Sequence, residues 1–460
     1  MQLSHDPFRV TAVFDDPNLV SCAGLAPVVA LADRAGLRRL VDETVTVSGD
    51  GAANAPAKVA ALVAGMVAGA DSIDDMDLLR HGGMARLFAG IRAPSTLGTF
   101  LRTFAFGHVR QLDAVAARVL AGLARSTPLL PGADQVAYVD IDDTIRATHG
   151  YAKQGAGYGY SKVKGLNVLL ATISTPLAAP VIAATRLRKG SANSARGAAR
   201  LVADALITAK NAGADPRQGS LVVLRADSAY YSADVIAAAR RHGAKFSVTA
   251  RMTSTVKAAI AAIDETAWTA IHYPNAFTDP DTGELISDAE VAEVPVFTAF
   301  TSRPKRDQVT ARLIVRRVKR LNPETAAGQD ELFAAHRHHA VFTDSPVAML
   351  EAEATHRAHA IVEQVIADLK NGPLAHLPSG KFTANAAWLV LAAIAHNLLR
   401  AAGALAGSLH VKSTTATLRA RLVAVPARIA RSARRLTLHL PTDWPWRTGW
   451  QNLANAVLIT

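Results

Sequence analysis

Residues 136–146, with the sequence VAYVDIDDTIR, decide how the rest of the chain is interpreted. The short apolar run rich in β-forming residues predicts a buried strand. Three carboxylates, Asp140, Asp142 and Asp143, stand where this strand is expected to end. Because side chains alternate along a strand, Asp140 and Asp142 should point to one face and Asp143 to the other. Such a cluster indicates a divalent-metal site, since carboxylate oxygens suit magnesium or manganese; the alternative is an acidic turn that caps the next segment.

The composition favours a polyanionic partner. The chain has 460 residues, enough for two or three domains, and 50 Lys and Arg against 38 Asp and Glu give a net charge of +12 at pH 7. Such an excess is typical of proteins that bind nucleic acid or a membrane surface. The single cysteine, Cys22, excludes an intrachain disulfide and a cysteine-based zinc site, and fits a reducing cytoplasm. With no secretory signal and no apolar run long enough to span a bilayer, we predict a cytoplasmic, nucleic-acid-associated protein without a membrane partner.

The first part of the chain is predicted to be helical. Residues 1–130 are rich in Ala, Leu and Val at helical spacing, with glycine breaks between the segments. Within them, short helical pieces joined by glycine between residues 71 and 104 are compatible with a helix-turn-helix DNA-binding motif. Short helices joined by glycine are also common in proteins that do not bind DNA, so both interpretations stay open.

The remaining chain has four predicted parts. Residues 131–252 alternate strands and helices, which predicts an α/β sheet with helices on its faces. Residues 253–345 are strand-like and predict an inserted β-rich subdomain. Helices return in residues 346–406, the first of them predicted to run from about Met349 to Lys370. Residues 407–460 form a basic segment that contains one acid, Asp443, and eight Lys and Arg. A surface with that balance is suited to contact phosphates.

Two further acids lie in positions typical of functional sites. Asp227 follows an apolar strand in LVVLRADSAYYS, where open α/β sheets bind ligands. Its alternative role is to cap the next helix. Glu363 lies in THRAHAIVEQVIADLKNG, and helical spacing places it on one face with His356, His359 and Lys370. A solvated polar face is the more usual explanation of a lone glutamate.

Taken together, these motifs resemble a known family. The order of DIDDT, GYGYSKVKGLN, RADSAYYS, a β-rich stretch and a Glu seven residues before a Lys is similar to that of the DDE transposases of bacterial insertion sequences. The resemblance covers about residues 20–450. It implies an α/β fold with a ribonuclease-H-like catalytic core, a β-rich insertion before the catalytic Glu, and a helical DNA-binding region in front.

The resemblance also implies site residues. Asp142, Asp227 and Glu363 match the three catalytic, metal-binding acids of the family, and Asp140 is a reserve candidate. They would hold two Mg²⁺ or Mn²⁺ ions for displacement at phosphorus. The family's Tyr-x-x-Arg-x-x-x-Glu-x-x-x-x-x-x-Lys signature fits at Glu363 and Lys370, whereas His356 replaces the Tyr and His359 the Arg. The expected contacts to DNA phosphates are Lys164, Arg188, Arg251, His359 and Lys370.

The function implied is that of a DNA transposase. It would bind the terminal inverted repeats of its element, cleave at their ends and join them to target DNA, as a cut-and-paste enzyme that is dimeric on DNA and nucleoid-associated. A haloacid-dehalogenase-like phosphatase is an alternative, because Asp140 and Asp142 also match its nucleophile and general acid. A decayed relic that binds DNA without cleaving it is another, and the two histidine replacements would suit it.

Overall fold

The computed structural model describes residues 1, 3–49, 51–149, 153–271, 289–319, 336–433 and 435–458. Its helices in these ranges are α1 (Leu25–Arg34), α2 (Leu37–Thr44), α3 (Ala55–Ala68), α4 (Met84–Leu87), α5 (Pro94–Thr103), α6 (Phe106–Ser126), α7 (Ala198–Asn211), α8 (Ala233–Arg241), α9 (Ser254–Ala261), α10 (Met349–Arg357), α11 (Ile361–Lys370), α12 (Phe382–Ala406), α13 (Ser408–Val411), α14 (Thr415–Leu418) and α15 (Arg447–Leu458). Its strands are β1 (Leu19–Val20), β2 (Val136–Ala147), β3 (Gly157–Tyr158), β4 (Lys164–Thr175), β5 (Ala178–Lys189), β6 (Leu221–Ala226), β7 (Lys245–Thr249), β8 (Thr269–Ile271), β9 (Ala289–Ala299), β10 (Val309–Lys319), β11 (His336–Thr343), β12 (Ala427–Ser432) and β13 (Arg435–His439).

A mixed sheet centred on β2 confirms the predicted α/β class. Its first five strands lie in the order β5-β4-β2-β6-β7, in which β4 is antiparallel to both neighbours and β2, β6 and β7 are parallel. β4 is almost entirely buried, because it lies between two strands and most of its residues are apolar. The parallel strands end at one edge, which is where open α/β sheets hold functional residues.

The predicted β-rich insertion forms strands, but it does not form a sheet of its own. β11 pairs with β7, and β10, β9 and β8 extend the same sheet beyond it in antiparallel order. For the strands that the structure describes, the predicted β-rich insertion is therefore an extension of the main sheet. Parts of the insertion, including residues 272–288, lie outside the described residues.

Helices pack on the sheet and bury it. α7 contacts β2, β4 and β5, and α8 packs on α7 and β7, while α11 contacts β2 and β5. α12 is long and apolar enough to cross a membrane by length and composition, yet 94% of its most apolar window is buried inside the protein. It contacts α1, α3, α5, α6 and α15 as well as β5. α12 is therefore the central core helix of a helical layer.

The two ends of the chain pack together. β1 pairs with β12, and β12 with β13, in a small antiparallel sheet separate from the large one. α15 near the C-terminus contacts α1 near the N-terminus. The predicted helical region of residues 1–130 is present, and its core is continuous with that of the basic C-terminal segment.

Candidate active site

Asp142 lies where the central strand loses one of its neighbours. The pairing of β2 with parallel β6 ends at Ile141 opposite Ala226, whereas its pairing with β4 continues to Ala147. The acids therefore lie within the strand, whereas the sequence pattern predicted them at its end. The half-buried Asp142 carboxylate accepts a hydrogen bond from the backbone N–H of Asp143 at 2.7 Å. Because the pairing with β6 ends here, a side chain at this position of β2 has no neighbouring strand on that side and can face the sheet edge.

The Asp140 carboxylate is paired with a buried arginine. Its two carboxylate oxygens accept hydrogen bonds from Nε and Nη2 of Arg225 at 2.6 and 2.7 Å, and both side chains are essentially inaccessible to solvent. Burial raises the pKa of Asp140, and the guanidinium of Arg225 opposes that shift. Both oxygens are thus used inside the protein, which speaks against Asp140 as a metal ligand. The same geometry leaves no exposed nucleophile for the phosphatase alternative.

Asp143 points into the opposite face of the sheet, as strand alternation predicts. Its carboxylate accepts hydrogen bonds from Arg188 at 2.6 Å, from Ser194 at 3.1 Å and from Tyr230 Oη at 3.1 Å, as well as from Asn167. The Tyr230 side chain is fully buried. This saturated network fixes β2 against β4 and β5, and gives Asp143 a structural role.

Asp227 combines its two predicted roles. It follows the last residue of β6 and caps a 3₁₀ turn, Ser228–Tyr230, by accepting a hydrogen bond from the Ala229 N–H at 2.9 Å. Although the Asp227 side chain is exposed, the protein atoms around it raise its pKa by desolvation, and the charge of Asp143 adds to the effect. The capping bond uses Oδ1, and Asp227 is near enough to Asp142 for its charge to raise the pKa of Asp142.

The helix that carries Glu363 is broken, contrary to the single helix predicted. α10 ends at Arg357, a 3₁₀ turn spans Ala358–Ala360, and α11 begins at Ile361. Glu363 is exposed in the first turn of α11, whose buried stripe is formed by Val362, Val365, Ile366 and Leu369. The break separates Glu363 from the α10 segment that precedes it, so the four predicted residues do not share one continuous face.

The two histidines of the signature differ in role. His356 is buried, and its ring nitrogens lie 2.9 Å from the hydroxyls of Ser247 and Thr249 on β7. Burial lowers its pKa to about 3. His359 is half-buried, and its Nδ1 donates to the His356 carbonyl at 2.6 Å. His356 is thus a neutral core residue, while His359 lies near the acids and acts electrostatically on Asp140 and Asp227.

The three predicted acids are electrostatically coupled. The pKa of Asp142 is raised to about 7, mainly by burial and also by the charges of Asp227, Asp143 and Glu363. Like charges have this effect only when they are near one another. Among the described residues, however, no group of three or more His, Cys, Asp or Glu side chains is close enough to hold a metal ion. The acids face one region without forming a closed coordination site.

The five cations expected to contact phosphates have different environments. Arg188 is buried, and its guanidinium also binds Asn167 and the carbonyls of the loop before α7, which speaks against a DNA contact. Arg251 is exposed and donates to the carbonyls of Ser228 and Ala229, so it braces the turn that begins at Asp227. Lys164 begins β4 and Lys370 ends α11, both half-buried. His359, Lys164 and Lys370 remain accessible.

Sequence reasoning missed Arg225 and Tyr230, which hold Asp140 and Asp143. Both residues lie within the RADSAYYS motif that was singled out for Asp227 alone. Two acids on opposite faces of a buried strand need partners on both sides, since unpaired buried charges are costly. That requirement was a usable signal, but it does not say which residue supplies each partner.

The chain matches a known protein family. The family model described as transposase DDE domain group 1 matches residues 4–458, nearly the whole chain. No curated protein matches the chain.

Proposed function

Because the chain belongs to the transposase DDE domain family, group 1, we propose that it is a DNA transposase whose catalytic acids are Asp142, Asp227 and Glu363. It would cleave at the terminal inverted repeats of an insertion sequence and transfer the ends into target DNA, in a cut-and-paste reaction. The single observation that carries the assignment of residues is their placement on adjoining elements: Asp142 lies on β2 where its pairing with β6 ends, Asp227 directly follows β6, and Glu363 lies on α11, which packs against β2. These acids come from three distant parts of the chain.

The strand order supports a ribonuclease-H-like core. β5-β4-β2-β6-β7 corresponds to 3-2-1-4-5 in a numbering that starts at β2, with the second strand antiparallel to the first. In this arrangement the first acid lies on the central strand, the second follows the adjacent parallel strand, and the third lies on a helix that packs against the first strand. That is the layout which the resemblance implies.

The donor set fits Mg²⁺ or Mn²⁺. Carboxylate oxygens are the ligands these ions prefer, and Asp227 and Glu363 are exposed while Asp142 is half-buried. The mutual repulsion that raises the Asp142 pKa is the electrostatic condition that a bound cation relieves. Two such ions, when bound, supply activation of the attacking oxygen and stabilisation of the leaving 3′ oxygen.

The protein residues would position the DNA. Asp142 lies on β2, which pairs with the strand that precedes Asp227 and packs against the helix that carries Glu363. Arg251 holds the carbonyls of the Asp227 turn and thereby keeps that carboxylate at the sheet edge. His359, whose Nδ1 is committed to the His356 carbonyl, would offer Nε2 to a phosphate. Lys164 and Lys370 would add positive charge, and pairing of two DNA ends would require a dimer on DNA in the bacterial nucleoid.

The test is strand cleavage of the element's own end DNA with Mg²⁺. Asp142→Asn, Asp227→Asn and Glu363→Gln should each abolish cleavage while the fold and DNA binding persist. Glu351→Gln on α10 is a matched control, because Glu351 is exposed and lies outside the acid group. Cleavage that survives one of the three substitutions would remove that residue from the site. A wild-type protein that binds ends but never cuts them would favour the relic.

A further inference from the structure

The ribbon formed by β12 and β13 extends away from the rest of the protein. Ala427 and Ile429 at its base are buried, whereas the described residues from 430 to 437 are all exposed. β1 covers only the base, since it pairs with Arg428 and Ala427 and reaches no further. A two-stranded ribbon without a covered face contributes little to folding stability. Its exposed part is therefore available to contact a partner.

The ribbon is positively charged. No acidic residue occurs in the sequence between Asp368 and Asp443, although that stretch contains ten Lys and Arg. Arg428 at the base pairs with Asp16 at 3.1 Å. Within the described part of the chain, Arg431 and Arg435 near the tip have no carboxylate within ion-pair distance. Their charges are not neutralised by the protein, which favours an anionic partner.

The register places these two arginines on opposite faces of the ribbon. Arg431 lies opposite Leu436, and Ser432 lies opposite Arg435. Residues opposite each other share a face, and successive pairs alternate. The ribbon therefore presents one of these two cations on each of its faces.

The dimensions select one kind of partner. A strand layer with its side chains is about 10 Å thick. The major groove of B-DNA is about 12 Å wide and admits a two-stranded ribbon, whereas the minor groove is only about 6 Å wide. We propose that the β12–β13 ribbon enters the major groove of duplex DNA tip first, with Arg431 and Arg435 reaching the phosphates of the two strands that line it. This rests on the proposed function only in that DNA is the partner, because the ribbon belongs to a different sheet from Asp142.

The test compares duplex binding by two double variants, measured by fluorescence anisotropy in EDTA so that no cleavage occurs. Arg431→Gln/Arg435→Gln should weaken binding about tenfold or more and lower the slope of log affinity against log salt by about 2, since each lost phosphate contact removes about 0.9. Arg217→Gln/Arg241→Gln removes the same charge from exposed positions elsewhere and should stay within about twofold of wild type. Arg431→Lys/Arg435→Lys should restore the slope. Equal losses in the ribbon and control variants would overturn the proposal.

The groove is tested by competition. Methyl green, which occupies the major groove, should displace the ribbon-dependent part of binding, and netropsin, which occupies the minor groove, should not. The reverse pattern would overturn the major-groove assignment. The Asp142→Asn protein should show the same ribbon-dependent binding as wild type, so failure of the catalytic assignment leaves this result intact. If the wild-type protein cleaves DNA but the ribbon variant binds DNA as tightly as wild type, only the proposed contact between the ribbon and DNA is refuted.

Discussion

Arg225 and Asp140 form a two-pronged ion pair inside the protein, with Nε and Nη2 of Arg225 2.6 and 2.7 Å from the two carboxylate oxygens. The third guanidinium nitrogen donates to the carbonyl of Thr355 at 2.7 Å, near the end of α10. Arg225, which lies on β6 two residues before Asp227, thus binds both the strand that carries Asp142 and the segment that leads to Glu363. We infer that Arg225 is a positioning residue for all three acids.

Loss of Arg225 should be costly. Arg225→Met leaves the Asp140 carboxylate buried without a partner, and we expect the free energy of unfolding to fall by about 3–5 kcal/mol. Urea denaturation followed by circular dichroism measures it. Arg225→Met/Asp140→Leu removes both charges and should recover most of the loss, because a buried pair replaced by apolar groups is often neutral. A double variant no more stable than the single one would contradict this account.

Asp142 should destabilise the metal-free fold. Its pKa is raised from 3.8 to about 7, mainly by burial, so its contribution to stability is lost as the pH rises through 7. We therefore expect Asp142→Asn to increase the free energy of unfolding by about 1–3 kcal/mol at pH 8, after discounting for partial exposure. The gain should shrink as the pH falls from 7 and vanish below about pH 3, where the carboxylate is protonated in both states. Asp134→Asn, at an exposed site, should show no such gain.

The local pattern of the sequence predicted much of the sheet. The apolar runs became β2, β4, β5, β6 and β7, and strand alternation correctly placed Asp140 and Asp143 on opposite faces. The pattern failed where distant residues decide. β2 continues past its acids because β4 supplies a ladder to Ala147, and no property of residues 142–147 alone reveals that partner.

The candidate site shows the same division. The helical pattern from Met349 to Lys370 predicted one helix, yet a 3₁₀ turn, Ala358–Ala360, interrupts it. His356 just before the break bonds to the hydroxyls of Ser247 and Thr249 on β7, which fixes the end of α10 against the sheet. Helical spacing in the sequence does not reveal such contacts between distant segments. The spacing therefore predicted which residue types approach the site, but not that His356 is withdrawn into the core.

Arg188 should prove to be structural. Arg188→Met would leave the Asp143 carboxylate without its cation, and we expect a loss of about 3–5 kcal/mol in the free energy of unfolding. Lys189→Met removes the same charge from the next, exposed residue and should cost little. Among folded molecules, the salt dependence of DNA binding should be unchanged by Arg188→Met. A shallower slope with unchanged stability would restore Arg188 as a phosphate contact.

His396 should make the fold sensitive to acid. It is buried on α12, with Nε2 3.4 Å from the Pro180 carbonyl and Nδ1 without a partner among the described residues. Burial lowers its pKa from 6.5 to about 3, and the charge of Arg400 adds to that effect. Because the unfolded chain binds the proton more tightly, the contribution of neutral His396 is present above pH 6.5 and is lost as the pH falls towards 3.

At pH 5 that loss amounts to about 2 kcal/mol for His396. His396→Met should therefore match wild type within about 1 kcal/mol at pH 8 and exceed it by about 2 kcal/mol at pH 5, as measured by urea denaturation at both values. His439→Met, on the exposed ribbon, should leave the pH dependence unchanged. Identical pH dependence in His396→Met and wild type would contradict a neutral histidine that is sealed from solvent at the centre of α12. It would mean either that His396 is already protonated in the folded protein or that it gains access to solvent before the protein unfolds.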